Sequence, residues 1–199
     1  MRFPTTWLIA LAIGFAASTS EALPILALDL DPMTAGVQSS VEVDLGAVID
    51  VDIVVSNVEP SAPLNAFEMD VAFDGGVVAA RSVSAGDFLL PPVFEVQLAA
   101  GASQVDVALA SLVFAGATGE GILARFQLEA VGVGVSVLAF QNVILSEPLG
   151  IAIRPESLLS AGIRVRQASA PIPEPTSALL FGAGCLVAFS SFGVRKTHA

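Results

Sequence analysis

The stretch Asn65-Ala-Phe-Glu-Met-Asp-Val-Ala-Phe73 decides the fold. In an extended chain successive side chains point to opposite faces, so Phe67, Met69, Val71 and Phe73 share one side and Ala66, Glu68, Asp70 and Ala72 the other. Large apolar groups against carboxylates describe a strand with one face in a core and one in water. Glu59-Pro60-Ser61-Ala62-Pro63 breaks the chain before it, and Asp74-Gly75-Gly76 turns it afterwards. A half-solvated strand with short connections on both sides belongs to an antiparallel sheet.

The same period recurs on either side. Upstream, Val41 to Leu45 alternates apolar and acidic residues. Val48 to Ser56 sets Ile49, Val51, Ile53 and Val55 against Asp50, Asp52 and Ser56. Downstream, strands are expected at Val77 to Val83, Val93 to Leu98 and Val105 to Val113, with a loop over Gly116 to Gly121. Ile122, Ala124, Phe126, Leu128 and Ala130 then alternate with Leu123, Arg125, Gln127 and Glu129. Val135 to Leu145 and Leu158 to Val165 complete the set, and residues 166–172 form a linker. About nine short strands without a helical period predict an all-β fold, an antiparallel β-sandwich.

Both ends carry targeting features. Arg2 precedes an apolar run from Trp7 to Ala17 and the small-residue triplet Ser20-Glu21-Ala22, which makes residues 1–22 a secretory signal peptide. At the other end, Pro173-Glu174-Pro175 leads into an apolar stretch from Thr176 to Val194, followed by Arg195 and Lys196. Those nineteen residues, as a helix, rise about 28 Å, enough for one transmembrane crossing. Arg195 and Lys196 resist translocation and hold the end cytoplasmic, so everything before Pro173 is exported. The two apolar ends also raise the mean hydropathy without belonging to any core. The tail, residues 173–199, resembles the PEP-CTERM sorting signal, which implies processing by exosortase near the tripeptide and a transient inner-membrane anchor before release to the cell surface or beyond. A plain C-terminal anchor behind a Pro-rich linker is the other reading of the same residues.

What lies between, residues 23–165, suffices for one domain with a single core. Across residues 23–170 five arginines stand against seventeen carboxylates, a charge that repels phosphate backbones and argues against nucleic acid as a partner. The domain holds no cysteine, so its core must suffice without disulfides.

Three segments of the domain carry a second resemblance. Val48-Ile-Asp-Val-Asp-Ile-Val-Val-Ser-Asn-Val58, then Ala66-Phe-Glu-Met-Asp-Val-Ala-Phe-Asp74, then Val83-Ser-Ala-Gly-Asp-Phe88 resemble the first half of a cohesin module. Gly119-Glu-Gly-Ile-Leu-Ala-Arg-Phe126 is similar to a later cohesin segment. The resemblance implies a jelly-roll-type sandwich whose flat face binds a dockerin, a calcium-loaded helical module. It would place the partner-binding face on the strands beginning near Ala66, Val93, Val105 and Val135, with Glu68, Asp70, Asp106 and Gln141 pointing outward. Each of those four is also what an ordinary solvated sheet carries.

Catalytic inventories are thin. The only histidine is His198, behind the apolar tail, and the only cysteine is Cys185 within it. Neither a Ser-His-Asp or Cys-His site nor a zinc site can therefore form in the exported domain. Asp29 with Asp31, or Asp50 with Asp52, offers two carboxylates each, too few for a calcium loop, so no metal and no cofactor are expected. A carboxylate pair could still serve a glycosidase. Sugar platforms favour exposed Trp or Tyr, yet the chain has no Tyr and its single Trp leaves with the signal peptide. The seven Phe residues of the domain mostly fall on apolar faces, and those are expected in the core. The expectation is a non-enzymatic, cohesin-like binding or adhesion module. An exopolysaccharide-associated matrix protein that binds glycan is the alternative, and a glycosidase the third reading.

Overall fold

A computed structural model of the chain describes residues 23–168. The expected signal peptide, the Pro173-Glu174-Pro175 element, the apolar segment 176–194, and Arg195 and Lys196 lie outside the described residues. Within them the strands are β1 (Ile25–Asp29), β2 (Ser40–Asp44), β3 (Val48–Val58), β4 (Ala66–Ala72), β5 (Val78–Ala85) and β6 (Val93–Ala100). They continue with β7 (Gln104–Ser111), β8 (Gly119–Ala130), β9 (Gly134–Ser146), β10 (Ala152–Ile153), β11 (Ser157–Leu159) and β12 (Ala161–Arg166).

Two sheets result. One runs β11-β1-β3-β8-β5, the other β2-β12-β9-β4-β7-β6, with β10 pairing the end of β9. Every neighbouring pair is antiparallel except β1 with β11 and β2 with β12, which are parallel. Those two pairs join the beginning of the domain to its end. At the second of them Arg166 reaches across to Asp44 Oδ1 at 2.7 Å and to Glu42 Oε1 at 3.1 Å. The hydrogen bond and charge of Asp44, and then the charge of Glu42, raise the Arg166 pKa.

The core lies between the sheets and follows from the period-2 pattern. Ile49, Val51, Ile53 and Val55 of β3 and Phe67, Met69 and Val71 of β4 are buried, as are Val105, Val107 and Leu109 of β7 and Phe126 and Leu128 of β8. Each large apolar side chain taken out of water contributes about 1.5–3 kcal/mol before entropy is counted. Leu138 and Leu145 of β9 with Ile163 and Val165 of β12 extend the same layer.

Several expectations are corrected, each for a reason that lies in the neighbours. β1 was not expected as a strand, because Ile-Leu-Ala-Leu-Asp does not alternate; four of its five residues are buried. The single strand expected over Leu158 to Val165 is two: β11 belongs to one sheet and β12 to the other, and Ser160 is the corner where the chain switches. The loop expected over Gly116 to Gly121 is already strand from Gly119, which pairs with Val58 at a φ of 94°. Leu123 was expected on the polar side of β8 but is buried, since the register shifts between Ile53 and Val54, where the partners step from Ala124 to Ile122. Asp52 shares the outward side of β3 with Asp50, yet only 4% of it is exposed. Of the seven phenylalanines, Phe94 is 59% and Phe114 74% exposed, which removes both from the core.

Candidate functional site

The outer face of β6-β7-β4-β9 is built by strict pairing. Ala66 of β4 sits between Ala110 of β7 and Ser146 of β9, and Ala110 in turn pairs with Phe94 of β6. The next outward row runs Ile144, Glu68, Ala108, Gln97, and the one after it Gln141, Asp70, Asp106, Ala99. In the first two of these rows Ala66, Ala108 and Ala110 stand beside the exposed Glu68, while larger apolar groups stand on the flanks, Phe94 on β6 and Ile144 on β9. Two irregularities sharpen the relief. Between Glu95 and Gln97 a bulge turns out Val96, and between Glu68 and Asp70 the register to β9 shifts past Asn142 and Val143.

The face is therefore divided. Its upper part, around Phe94, Ala110, Ala66 and Ile144, is apolar, and its lower part is acidic and amide-rich. Asn142 Nδ2 donates to Asp70 Oδ2 at 2.6 Å, and Gln104 Nε2 donates to Asp106 Oδ1 at 2.5 Å. These carboxamides hold the two carboxylates in place. Strands β4, β6, β7 and β9 carry no Lys or Arg, so Glu68, Asp70 and Asp106 set the sign of the field over this surface.

All four residues expected on a partner-binding face, Glu68, Asp70, Asp106 and Gln141, point outward on this sheet. Asp70 is paired directly with both Asp106 and Gln141, and Glu68 stands one outward row away. The exposed apolar flank formed by Phe94, Val96 and Ile144 was not anticipated. A Phe two residues after the Pro91-Pro92 pair was the available signal, because prolines mark an edge strand, and an edge leaves one side chain in two facing solvent.

The outer face of the other sheet has a different chemistry. Asp50 pairs with Gln127 and Asp52 with Arg125 across β3 and β8, and Ser82 and Ser84 of β5 complete the two rows. Arg125 Nε lies 3.2 Å from the buried Asp52 Oδ1. Burial pushes the Asp52 carboxyl above its usual range; Arg125 opposes that shift, while Asp29 and Asp50 add to it.

No family model matches the sequence, and no curated protein matches it. Solved structures do. CaCohA2 from Clostridium acetobutylicum aligns with a TM-score of 0.58 at 16% identity, covering 76% of this chain and 95% of that one. A non-cellulosomal cohesin from the archaeon Archaeoglobus fulgidus aligns with a TM-score of 0.55 at 15% identity, over 73% of this chain and 93% of that one. The cohesin of a type I cohesin–dockerin complex from Clostridium thermocellum gives 0.56 at 12% identity, over 72% and 99%. At such identities the likeness is one of fold: the domain is a cohesin-like two-sheet β-sandwich.

Proposed function

We propose that the chain is an exported, non-catalytic binding module whose β6-β7-β4-β9 face receives a helical partner of the dockerin kind. The observation that carries this reading is the divided face, set on a fold shared with a cohesin solved in complex with its dockerin. An apolar trough floored by Ala66, Ala108 and Ala110 suits the apolar stripe of a helix, and the adjoining carboxylates suit basic residues at one end of it. Glu68, Asp70, Asp106 and Gln141 act in this reading as contacts that orient the partner, with Phe94 and Ile144 as the apolar anchors. Export by the signal peptide and sorting through the tail by exosortase, to the cell surface or the extracellular matrix, belong to the same proposal and rest on the sequence of the two ends.

The test is capture by two immobilised forms of residues 23–168, the wild type and Phe94→Asp/Ile144→Asp, from calcium-containing secreted extract of the producing organism. A protein held by the wild type, released by chelator and absent from the variant supports the reading. Equal capture by both forms, or capture indifferent to calcium, overturns it. Sorting is tested separately by replacing Glu174 with Ala and following the C-terminal tail: retention of the uncleaved chain in the inner membrane is expected.

A further inference from the structure

A cleft of about 700 Å³ opens over β3, β8 and β5 of the sheet opposite the docking face, with Val41 and Val43 of β2 also lining it, within the size range of small-ligand sites. β1 makes it possible by stopping early. Its last residue, Asp29, pairs with Asp52, so the edge of β3 from Val48 to Val51 has no β1 partner. The chain leaves through Leu30 to Met33 and returns at Gln38, whose backbone N–H donates to Asp29 Oδ1 at 2.9 Å. The outgoing segment forms a wall, with Met33 94% exposed at the rim.

The floor is a grid of side chains on three rigid strands. One row runs Asp52, Arg125, Ser84 and the other Asp50, Gln127, Ser82. Ser82 Oγ donates to Gln127 Oε1 at 3.3 Å, and Gln127 Nε2 donates to Asp50 Oδ1 at 2.8 Å. The second row is thus a connected chain of hydroxyl, carboxamide and carboxylate. Rows two residues apart along a strand lie about 6.7 Å from each other, and neighbouring strands about 4.8 Å. Donors and acceptors therefore alternate over an area the size of one sugar ring. Exposed Val48 and Met33 add an apolar margin.

A neutral hydroxyl-rich ligand matches this surface better than an ion or a peptide. Each hydroxyl both donates and accepts, as the grid requires. Asp50 and Asp52 already face a carboxamide and a guanidinium, which leaves them acceptors for hydroxyls more than bare charges. An extended peptide would find only the short edge from Val48 to Val51 to pair with. We propose that this cleft is a saccharide-binding site. It takes a neutral hexose unit of a glycan chain, whose hydroxyls bond to Asp50, Arg125 and Gln127 and whose C–H face rests against Met33 and Val48. The site is independent of the docking face, so one domain would join a protein on one sheet to a glycan on the other. Polar side chains do here what exposed aromatic platforms do elsewhere.

The experiment uses the full chain in lipid nanodiscs and isothermal titration with cellohexaose, xylohexaose, mannohexaose and N-acetylchitohexaose. At least one of the four is expected to bind. Gln127→Ala should weaken that binding about tenfold, since it removes the centre of the connected row. Ser84→Trp, which fills the cleft, should abolish it, and Asp70→Asn on the opposite sheet should leave it unchanged. Melting temperatures decide whether Ser84→Trp is folded; if it is not, Gln127→Ala alone decides. The proposal is overturned if none of the four binds or if Gln127→Ala binds as tightly as the wild type. A fifth titration with the cationic glucosamine hexamer separates charge from hydroxyl recognition: the proposal is equally overturned if that hexamer alone binds and salt removes it, for the carboxylates would then act as bare charge.

Discussion

Asp70 of β4 and Asp106 of β7 are directly paired across neighbouring strands, two like-charged side chains side by side on an outer face. Each is fastened by its own carboxamide, Asn142 for the first and Gln104 for the second. Like charges in this position destabilise a sheet, so the pair weakens the fold and strengthens the field that a basic partner would meet. Replacing Asp106 by Asn keeps an acceptor for Gln104 and removes the repulsion. The expected result in urea unfolding is a gain of about 0.2–1 kcal/mol. Affinity for the proposed dockerin-like partner should fall in the same variant, and its salt dependence should become shallower.

Phe94 and Ile144 should behave in the reverse way. Both are more than half exposed, so Phe94→Ala or Ile144→Ala is expected to change stability by no more than about 0.5 kcal/mol. Truncating either of these apolar anchors of the proposed interface should cost the complex about 2 kcal/mol or more, measured by titration calorimetry. A variant that loses stability but not affinity would place these residues outside the interface.

Asp52 makes stability depend on pH in a stated direction. Its carboxyl titrates above its ordinary 3.8 in the folded state, chiefly because it is buried. The folded chain then takes up this proton before the unfolded chain does. The stability contributed by the neutral form is complete below the ordinary carboxylate value and is lost as pH rises through the folded value. Asp52→Asn, which cannot ionise, is expected to melt higher than the wild type at pH 7. The difference should shrink as pH is lowered toward 4, read by thermal unfolding across a pH series.

Phe126, 2% exposed at the centre of β8, should be among the costliest residues to truncate. Phe126→Ala is expected to lose about 3–5 kcal/mol, through lost transfer energy and the cavity left behind. For a domain of this size that corresponds to a melting point lower by about 6–20 °C.

Two glycines should separate two kinds of constraint. A Cβ on Gly86 would stand 2.1 Å from the Ile122 carbonyl oxygen, a backbone atom that cannot step aside. Gly46 faces open space but has a φ of 87°, a conformation costly to L-residues. Gly46→Ala is expected to cost about 1–2 kcal/mol, and Gly86→Ala more, with equilibrium unfolding as the measure.

The legible parts of the chain are those where a strand reports its own environment. The alternation from Asn65 to Phe73 places Phe67, Met69 and Val71 inside and Glu68 and Asp70 outside without reference to anything else, because a pleat has two sides. β3 is legible for the same reason, except at Asp52, whose burial depends on Arg125 and on the segment after β1. β1 itself was hidden because it is covered on both sides and does not alternate.

By itself, then, the amino-acid order determined that this domain is a β sandwich, which residues of β3 and β4 fill its core, and that Glu68 and Asp70 face outward, whereas Asp106 and Gln141 were placed beside them by the resemblance alone. The properties so determined are written in a local period of two residues. The tertiary structure decided the rest. It chose the parallel pairing of β2 with β12, whose Arg166 meets Asp44 across more than a hundred residues of chain. It also set the switch of sheets at Ser160, the exposure of Phe94 on an edge, the row that puts Asp106, Asp70 and Gln141 side by side, and the cleft left where β1 ends. Each of these depends on which strand lies next to which and in what register, and a residue's own neighbours in sequence carry no record of that.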